Sequence, residues 1–131
     1  MDHVVCGIIR KIEDGIEKYL LVASKRDFGE YTGYYYPPGG HVEEGEDELT
    51  ALCREIPEET GLEVEVANKI TESPGDVPDQ VTCWYECTVK GDLRPNYDEL
   101  RDADYFSEEE MHNMKVWPAT RAFFEEHVFS R

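Results

Sequence analysis

The run Arg54-Glu55-Ile56-Pro57-Glu58-Glu59-Thr60-Gly61 constrains this chain more than any other feature. It closes a segment, Asp47 to Thr60, in which Leu49, Leu52, Cys53 and Ile56 recur at helical spacing. Glu55, Glu58 and Glu59 stand at i, i+3 and i+4, so at about 100° per residue they share one helical face. That face lies roughly 100° around the helix from the apolar stripe. A helix so built packs its apolar side on a sheet and edges a cleft with its carboxylates. Gly61 is a suitable C-terminal stop.

Three glutamates on one face repel one another by a few tenths of a kcal/mol per pair, and partial burial raises their pKa values. A fold tolerates this best with a cation among them. Hard oxygen donors favour Mg²⁺ or Mn²⁺ over Zn²⁺. An isolated E-x-x-E-E is more often a solvated acidic face, but here the pattern continues on both sides. Pro37-Pro38-Gly39-Gly40 lets the backbone come close to an ion, and Arg54 stands four residues before Glu58, within reach of the carboxylates.

Residues 40–62 resemble the Nudix box, G-x5-E-x7-R-E-U-x-E-E-x-G-U with U apolar. All nine fixed positions match: Gly40, Glu46, Arg54, Glu55, Ile56, Glu58, Glu59, Gly61 and Leu62. The resemblance implies an α/β/α sandwich around a mixed β-sheet, with the box as loop–helix–loop. It implies Mg²⁺-dependent hydrolysis (Mn²⁺ as a substitute) of a diphosphate bond in a nucleoside di- or triphosphate or a nucleoside diphosphate derivative. Glu55 and Glu59 would be principal metal ligands, with Glu55 also able to act as general base. Glu58 would bind a metal or its water, and the carbonyl of Gly39 or Gly40 would complete the shell. Arg54 would hold the glutamates, and Glu46 and Gly61 would be structural. A later-loop carboxylate, Glu99 or alternatively Asp98, would add a ligand. Pro57 departs from a regular helix: it removes the hydrogen bond to the Cys53 carbonyl, at roughly 3 kcal/mol in a helix interior, and could rotate Glu58 and Glu59 relative to Glu55.

The remainder of the sequence reads as one α/β domain spanning residues 1–131. His3–Ile12 and Glu17–Ala23 form a hairpin around Glu13-Asp14-Gly15. Residues 26–39 read as a loop. Leu62–Thr71, Gln80–Val89 and Asp102–Phe106 read as strands, with a loop over Ser73–Asp79. Ser107 and Glu110 suggest a capping box, and Pro118 the first turn of a last helix burying Phe123, Phe124 and Val128. Cys6, Cys53, Cys83 and Cys87 form no C-x-x-C pair and read as small buried hydrophobes in a reduced cytoplasmic protein. Cys53 is expected on the core side of its helix. No stretch is long and apolar enough for a membrane span.

The net charge of −17 disfavours binding to a nucleic-acid polymer, which runs on Lys and Arg. The expected partner is therefore a small nucleotide-like molecule, and the protein a monomer or homodimer. Tyr34 and Tyr36, within the run Tyr31 to Tyr36, are candidates for substrate binding; Trp84 and Trp117 read as core. Pro78 resembles the ADP-ribose-cleaving branch, so ADP-ribose or an ADP-sugar is the alternative substrate. Among rival classes, a non-catalytic binding module on this fold would be expected to lose box glutamates. A prenyl-diphosphate isomerase would need a catalytic cysteine in the cleft, and a cap-removing RNA enzyme a basic patch.

Overall fold

The computed structural model describes residues 1–129. Strand β1 (Asp2–Glu13) passes through Asp14 and Gly15 into β2 (Ile16–Ser24). Both turn residues are left-handed, with φ of 54° and 78°, which is the two-residue hairpin geometry that suits strand twist. A 3₁₀ turn (Gly29–Tyr31) and the short strands β3 (Tyr35–Tyr36) and β4 (Gly39–His41) lead to helix α1 (Glu48–Thr60). Strands β5 (Glu63–Pro74), β6 (Gln80–Lys90) and β7 (Leu100–Ser107) follow. Helices α2 (Glu108–His112) and α3 (Pro118–Phe123) complete the order, the latter continuing as a π-helical segment, Phe124–Val128.

β1 organises the sheet. Its first half runs parallel to β6, from Asp2↔Gln80 to Ile9↔Cys87, and its Val4–Cys6 stretch pairs antiparallel with β4. Its second half pairs with β2, which carries β3 and β7, while β5 lies outside β6. The stretch expected as a loop over residues 26–39 therefore includes ordered pairing: Tyr35 and Tyr36 sit opposite Ala23 and Val22, and Gly39 opposite Cys6. The density of Gly and Pro hides the β-preference of the tyrosines there. β5 likewise extends to Pro74, three residues past the expected Thr71.

Strand alternation sorts the core into two layers. On one face Val5, Ile9, Leu20, Cys83, Tyr85 and Cys87 pack with Ala51, Leu52 and Ile56 of α1. On the other, Cys6, Ile8, Tyr19, Leu21 and Trp84 pack with Met111, Phe123 and Phe124, and Trp84 stacks on Phe123 at 4.1 Å. Helices on both faces of a mixed sheet make an α/β/α sandwich. Leu52 and Ile56 are fully buried, each stabilising the helix–sheet contact by about 1.5–3 kcal/mol. Gly7 permits this approach, since a Cβ there would stand 2.7 Å from Ile56 Cδ1.

The ends of α1 are fixed by local chemistry. Asp47 Oδ1 accepts from the Thr50 amide at 2.7 Å. Gly61, at φ 72°, donates its N–H to the Pro57 carbonyl at 2.8 Å. Pro57 is accommodated within the helix near its last turn. The buried face is turned toward the carboxylates relative to the expected stripe. Leu49 is 51% exposed and Cys53 is exposed, whereas Glu59 and Thr60 are buried. Seven residues after Leu52, Glu59 comes within about 20° of it around the helix axis, so it shares the buried arc; Cys53 and Leu49 fall toward its margin and first turn. Cys53 thus departs from the buried-hydrophobe reading, and Cys6, Cys83 and Cys87 fit it.

Candidate active site

A cavity of about 630 Å³ opens beside α1, bounded by β1, β4, β6 and the loops before β7 and α3. Glu55 and Glu59 reach it from the helix, and Gly39, Gly40 and Tyr36 reach it from the approach to β4. The Gly39 amide donates to Glu59 Oε1 at 2.9 Å. A side chain at Gly39 would collide with the Val5 carbonyl oxygen, at 1.8 Å. A Cβ at Gly40 would stand 2.6 Å from the carboxylate carbon of Glu55. Both glycines are thus required by close approach, one to backbone and one to a carboxylate.

The glutamates differ in environment. Glu59 is 5% exposed, and its pKa is pushed up to about 8, first by burial and then by the negative charge of Glu55, Glu99 and Glu58, against the opposing Gly39 hydrogen bond. Burial also raises Glu55, partly offset by the hydrogen bond from Arg54. Glu58, expected to share their face, is exposed and does not line the cavity; it acts on the other two through its charge. The reason is angular: Glu59 sits in the buried arc, Glu55 at its edge, and Glu58 beyond it.

Arg54 holds Glu55 and Glu46. Its guanidinium donates to both Glu46 oxygens, at 2.8 and 2.9 Å, and to Glu55 Oε1 at 2.6 Å. This two-point grip, with the Glu43 amide, lowers Glu46 to about 2. Glu46 is therefore the anchor for the arginine that orients Glu55, a more definite position than the sequence spacing implied. Of the two later-loop carboxylates, both Asp98 and Glu99 line the cavity, and the charge of Glu99 contributes to raising both Glu55 and Glu59. Gly61 lies at the end of α1, outside the cavity lining.

The tyrosines separate. Tyr36 lines the cavity, and burial raises its hydroxyl pKa. Tyr34 does not line it: its ring packs against Tyr31 and Trp117, at 5.0 and 6.3 Å, and buttresses the wall. Trp117, expected in the core, is half-buried, stacks on Tyr31 at 4.8 Å and lines the cavity with Phe28. Trp84 is buried as expected and also contributes to the lining. Sequence reasoning missed Cys6, Thr82 and Asp76 as lining residues. The alternation of β1 and β6 held the signal for the first two, since they fall opposite Val5 and Cys83. Asp76 is an exposed residue at the rim; partial desolvation of its carboxyl raises its pKa, and it accepts from the Ala119 amide at 2.9 Å.

These donors fit a divalent cation. They are oxygens gathered at one end of a cavity, and the nearly buried Glu59 has no cationic partner to balance its charge among the described residues' ion pairs. The family model of the NUDIX domain matches residues 1–127. This chain belongs to the Nudix hydrolase family. The fold of the MutT NUDIX hydrolase from Burkholderia pseudomallei superposes with a TM-score of 0.77 at 25% identity, covering 97% of this chain and 98% of that one. The NAD-capped RNA hydrolase NudC of Vibrio vulnificus is 32% identical over 81 residues, 61% of this chain and 31% of that protein. The m7GpppN-mRNA hydrolase NUDT17 of Xenopus laevis is 37% identical over 59 residues, 45% of this chain and 20% of that protein. The chain thus spans about a third or less of the length of these curated relatives. The Nudix box of this chain is the loop–helix–loop from Gly40 to Leu62, centred on α1. Among the described residues no helix is long and apolar enough to cross a membrane.

Proposed function

We propose that this Nudix hydrolase cleaves a diphosphate bond in a nucleoside di- or triphosphate, or in a nucleoside diphosphate derivative, using Mg²⁺ or Mn²⁺. The observation that carries the reading is the convergence of Glu55 and the buried Glu59 on the Gly39–Gly40 backbone at one end of the cavity. Glu55, Glu59 and Glu99 would hold the ion, with Gly39 or Gly40 supplying a carbonyl and Glu58 a contact through water. A divalent ion there supplies charge neutralisation for the phosphate oxygens and a lowered pKa for water.

The protein's own groups do the rest. Glu55 accepts the proton from the attacking water, and Arg54 keeps its carboxylate aimed while Glu46 keeps Arg54 in place. The aromatic side chains Trp117, Phe28 and Tyr36 offer apolar surface for a base, and Lys25 and Arg26 offer positive charge for phosphate oxygens. The cavity volume lies within the ordinary range for a small-molecule site. The charge of −17 weighs against a polymer substrate. A dinucleotide-like substrate such as ADP-ribose or NAD is the second reading, favoured by the similarity to NudC, whose name specifies an NAD cap.

The test is a panel of nucleoside triphosphates, nucleoside diphosphates, ADP-ribose, ADP-sugars and NAD with Mg²⁺ or Mn²⁺, scored by product identity. Metal-dependent release of a mononucleotide with phosphate, diphosphate or a phosphorylated remainder is expected. Glu55→Gln and Glu59→Gln are expected to lower turnover by roughly 10³-fold or more with the fold intact. Binding without cleavage across the panel would leave a binding module, and wild-type turnover in Glu59→Gln would remove that residue from the assignment.

A further inference from the structure

We propose a second metal site, built for Zn²⁺, from His3, Glu48 and Cys83. It is independent of the glutamate cluster and of the reading above. The three residues come from three elements: β1, the first turn of α1, and β6. The register explains the meeting. Cys83 sits opposite Val5 on the parallel pair, and His3, two residues before Val5, shares its face. That is the face α1 covers, which brings Glu48 over both. Thr82 and Trp84, the neighbours of Cys83, line the active-site cavity, so the two sites use opposite faces of β6. Along α1, Glu48 precedes Glu55 by seven residues, about 10 Å of helix.

The geometry is close to what a tetrahedral ion needs. His3 Nδ1 lies 3.9 Å from Cys83 Sγ and 3.8 Å from Glu48 Oε2, and all three donor atoms lie within 4.8 Å of one another. With Zn–S near 2.3 Å and Zn–N and Zn–O near 2.1 Å, tetrahedral angles place such donors roughly 3.4–3.6 Å apart. A contraction of a few tenths of an ångström for the two measured pairs closes that gap. His3 and Glu48 side chains are 42% and 23% exposed, so an ion can enter from solvent while Cys83 forms the buried wall.

The surroundings orient the donors. Tyr85 donates its hydroxyl to Glu48 Oε1 at 2.5 Å, and Lys69 donates to the same oxygen at 3.0 Å, leaving Oε2 toward His3. Lys69 also holds Glu72 at 2.7 Å. Such outer contacts fix a ligating carboxylate. On binding, a Zn–S bond forms, the Cys83 S–H bond breaks and its proton passes to water. The thiolate, Glu48, Glu72, Lys69 and the dication then sum to zero charge. A thiolate and an imidazole select Zn²⁺ over Mg²⁺, which prefers oxygen. The fourth position is left to water.

Co²⁺ serves as the spectroscopic probe, added to the full reduced chain in excess Mg²⁺. One equivalent is expected to give a thiolate-to-cobalt charge-transfer band that Zn²⁺ abolishes. The band should disappear in Cys83→Ala and persist in Cys6→Ala, whose position lines the catalytic cavity. His3→Gln, at a partly exposed position, should weaken Co²⁺ binding at least tenfold and covers the case in which Cys83→Ala does not fold. Absence of the band in the wild type, its survival in Cys83→Ala, its loss in Cys6→Ala, or unchanged affinity in His3→Gln would each overturn the site.

Discussion

Placing a single methyl group at position 40 tests the geometry of the glutamate cluster directly. In Gly40→Ala the new Cβ would stand 2.6 Å from the Glu55 carboxylate carbon and 2.8 and 2.9 Å from its oxygens. An unstrained carbon–carbon contact is about 3.6 Å, so the carboxylate must retreat by about 1 Å. It cannot do so alone, because Oε1 is held by Arg54 at 2.6 Å and Arg54 is pinned to both oxygens of Glu46. A misplacement of about 1 Å at a reacting group lowers rate by roughly 10²-fold, about 2.7 kcal/mol of barrier. Gly40 is not among the glycines with positive φ, so alanine imposes no left-handed strain and fold stability should fall by only about 1–2 kcal/mol, at the low end of the overpacking range. The measurement pairs kcat on the best substrate from the panel, across a Mg²⁺ titration, with urea unfolding of the same preparations. Full kcat in Gly40→Ala would refute the argument that Glu55 is held against this glycine. A loss of activity matched by an equal loss of stability would refute the claim that the effect is local.

Arg54→Lys removes the two-point contact with Glu46 that a point charge cannot reproduce; a 10–100-fold fall in kcat or metal affinity is expected, read by steady-state kinetics and Mn²⁺ titration. Leu52→Ala empties a fully buried position between α1 and the sheet and should lower stability by about 2–5 kcal/mol, read as a lower urea midpoint. In the metal-free protein, Glu59 holds its proton to about pH 8 when folded but only to about 4.5 when unfolded. The folded state therefore binds more protons between those values, and this contribution to stability is lost as pH rises through the window. Between pH 5 and 8 in EDTA, Glu59→Gln should gain a few kcal/mol on wild type; a difference that stays flat with pH would contradict it.

Much of this site is a matter of short-range spacing, which is why it could be read from sequence. The helix, its Asp47 and Gly61 ends, and the Asp14–Gly15 hairpin rest on local rules, and all appear in the structure. The rotation of α1 was not legible. Leu49 and Cys53 carry the expected period, but where the sheet lies against the helix decides which part of the arc is buried, and that places Glu59 inside and Glu58 outside. The tyrosine run failed to separate for a similar reason: Tyr35 and Tyr36 pair with β2, while Tyr34 goes to a wall formed with Trp117, far away in the chain. The meeting of His3, Glu48 and Cys83 depends on a parallel pairing between β1 and β6, a long-range choice that no window of neighbouring residues reveals.

The hairpin at Asp14 and Gly15 carries a practical consequence. A Cβ built on Gly15 meets nothing within 4 Å, and the turn joins the halves of β1 and β2 that contribute no side chain to either proposed site. A fluorescent reporter or a tether spliced between these two residues would therefore ride on a paired ribbon, clear of the side chains that build either proposed site.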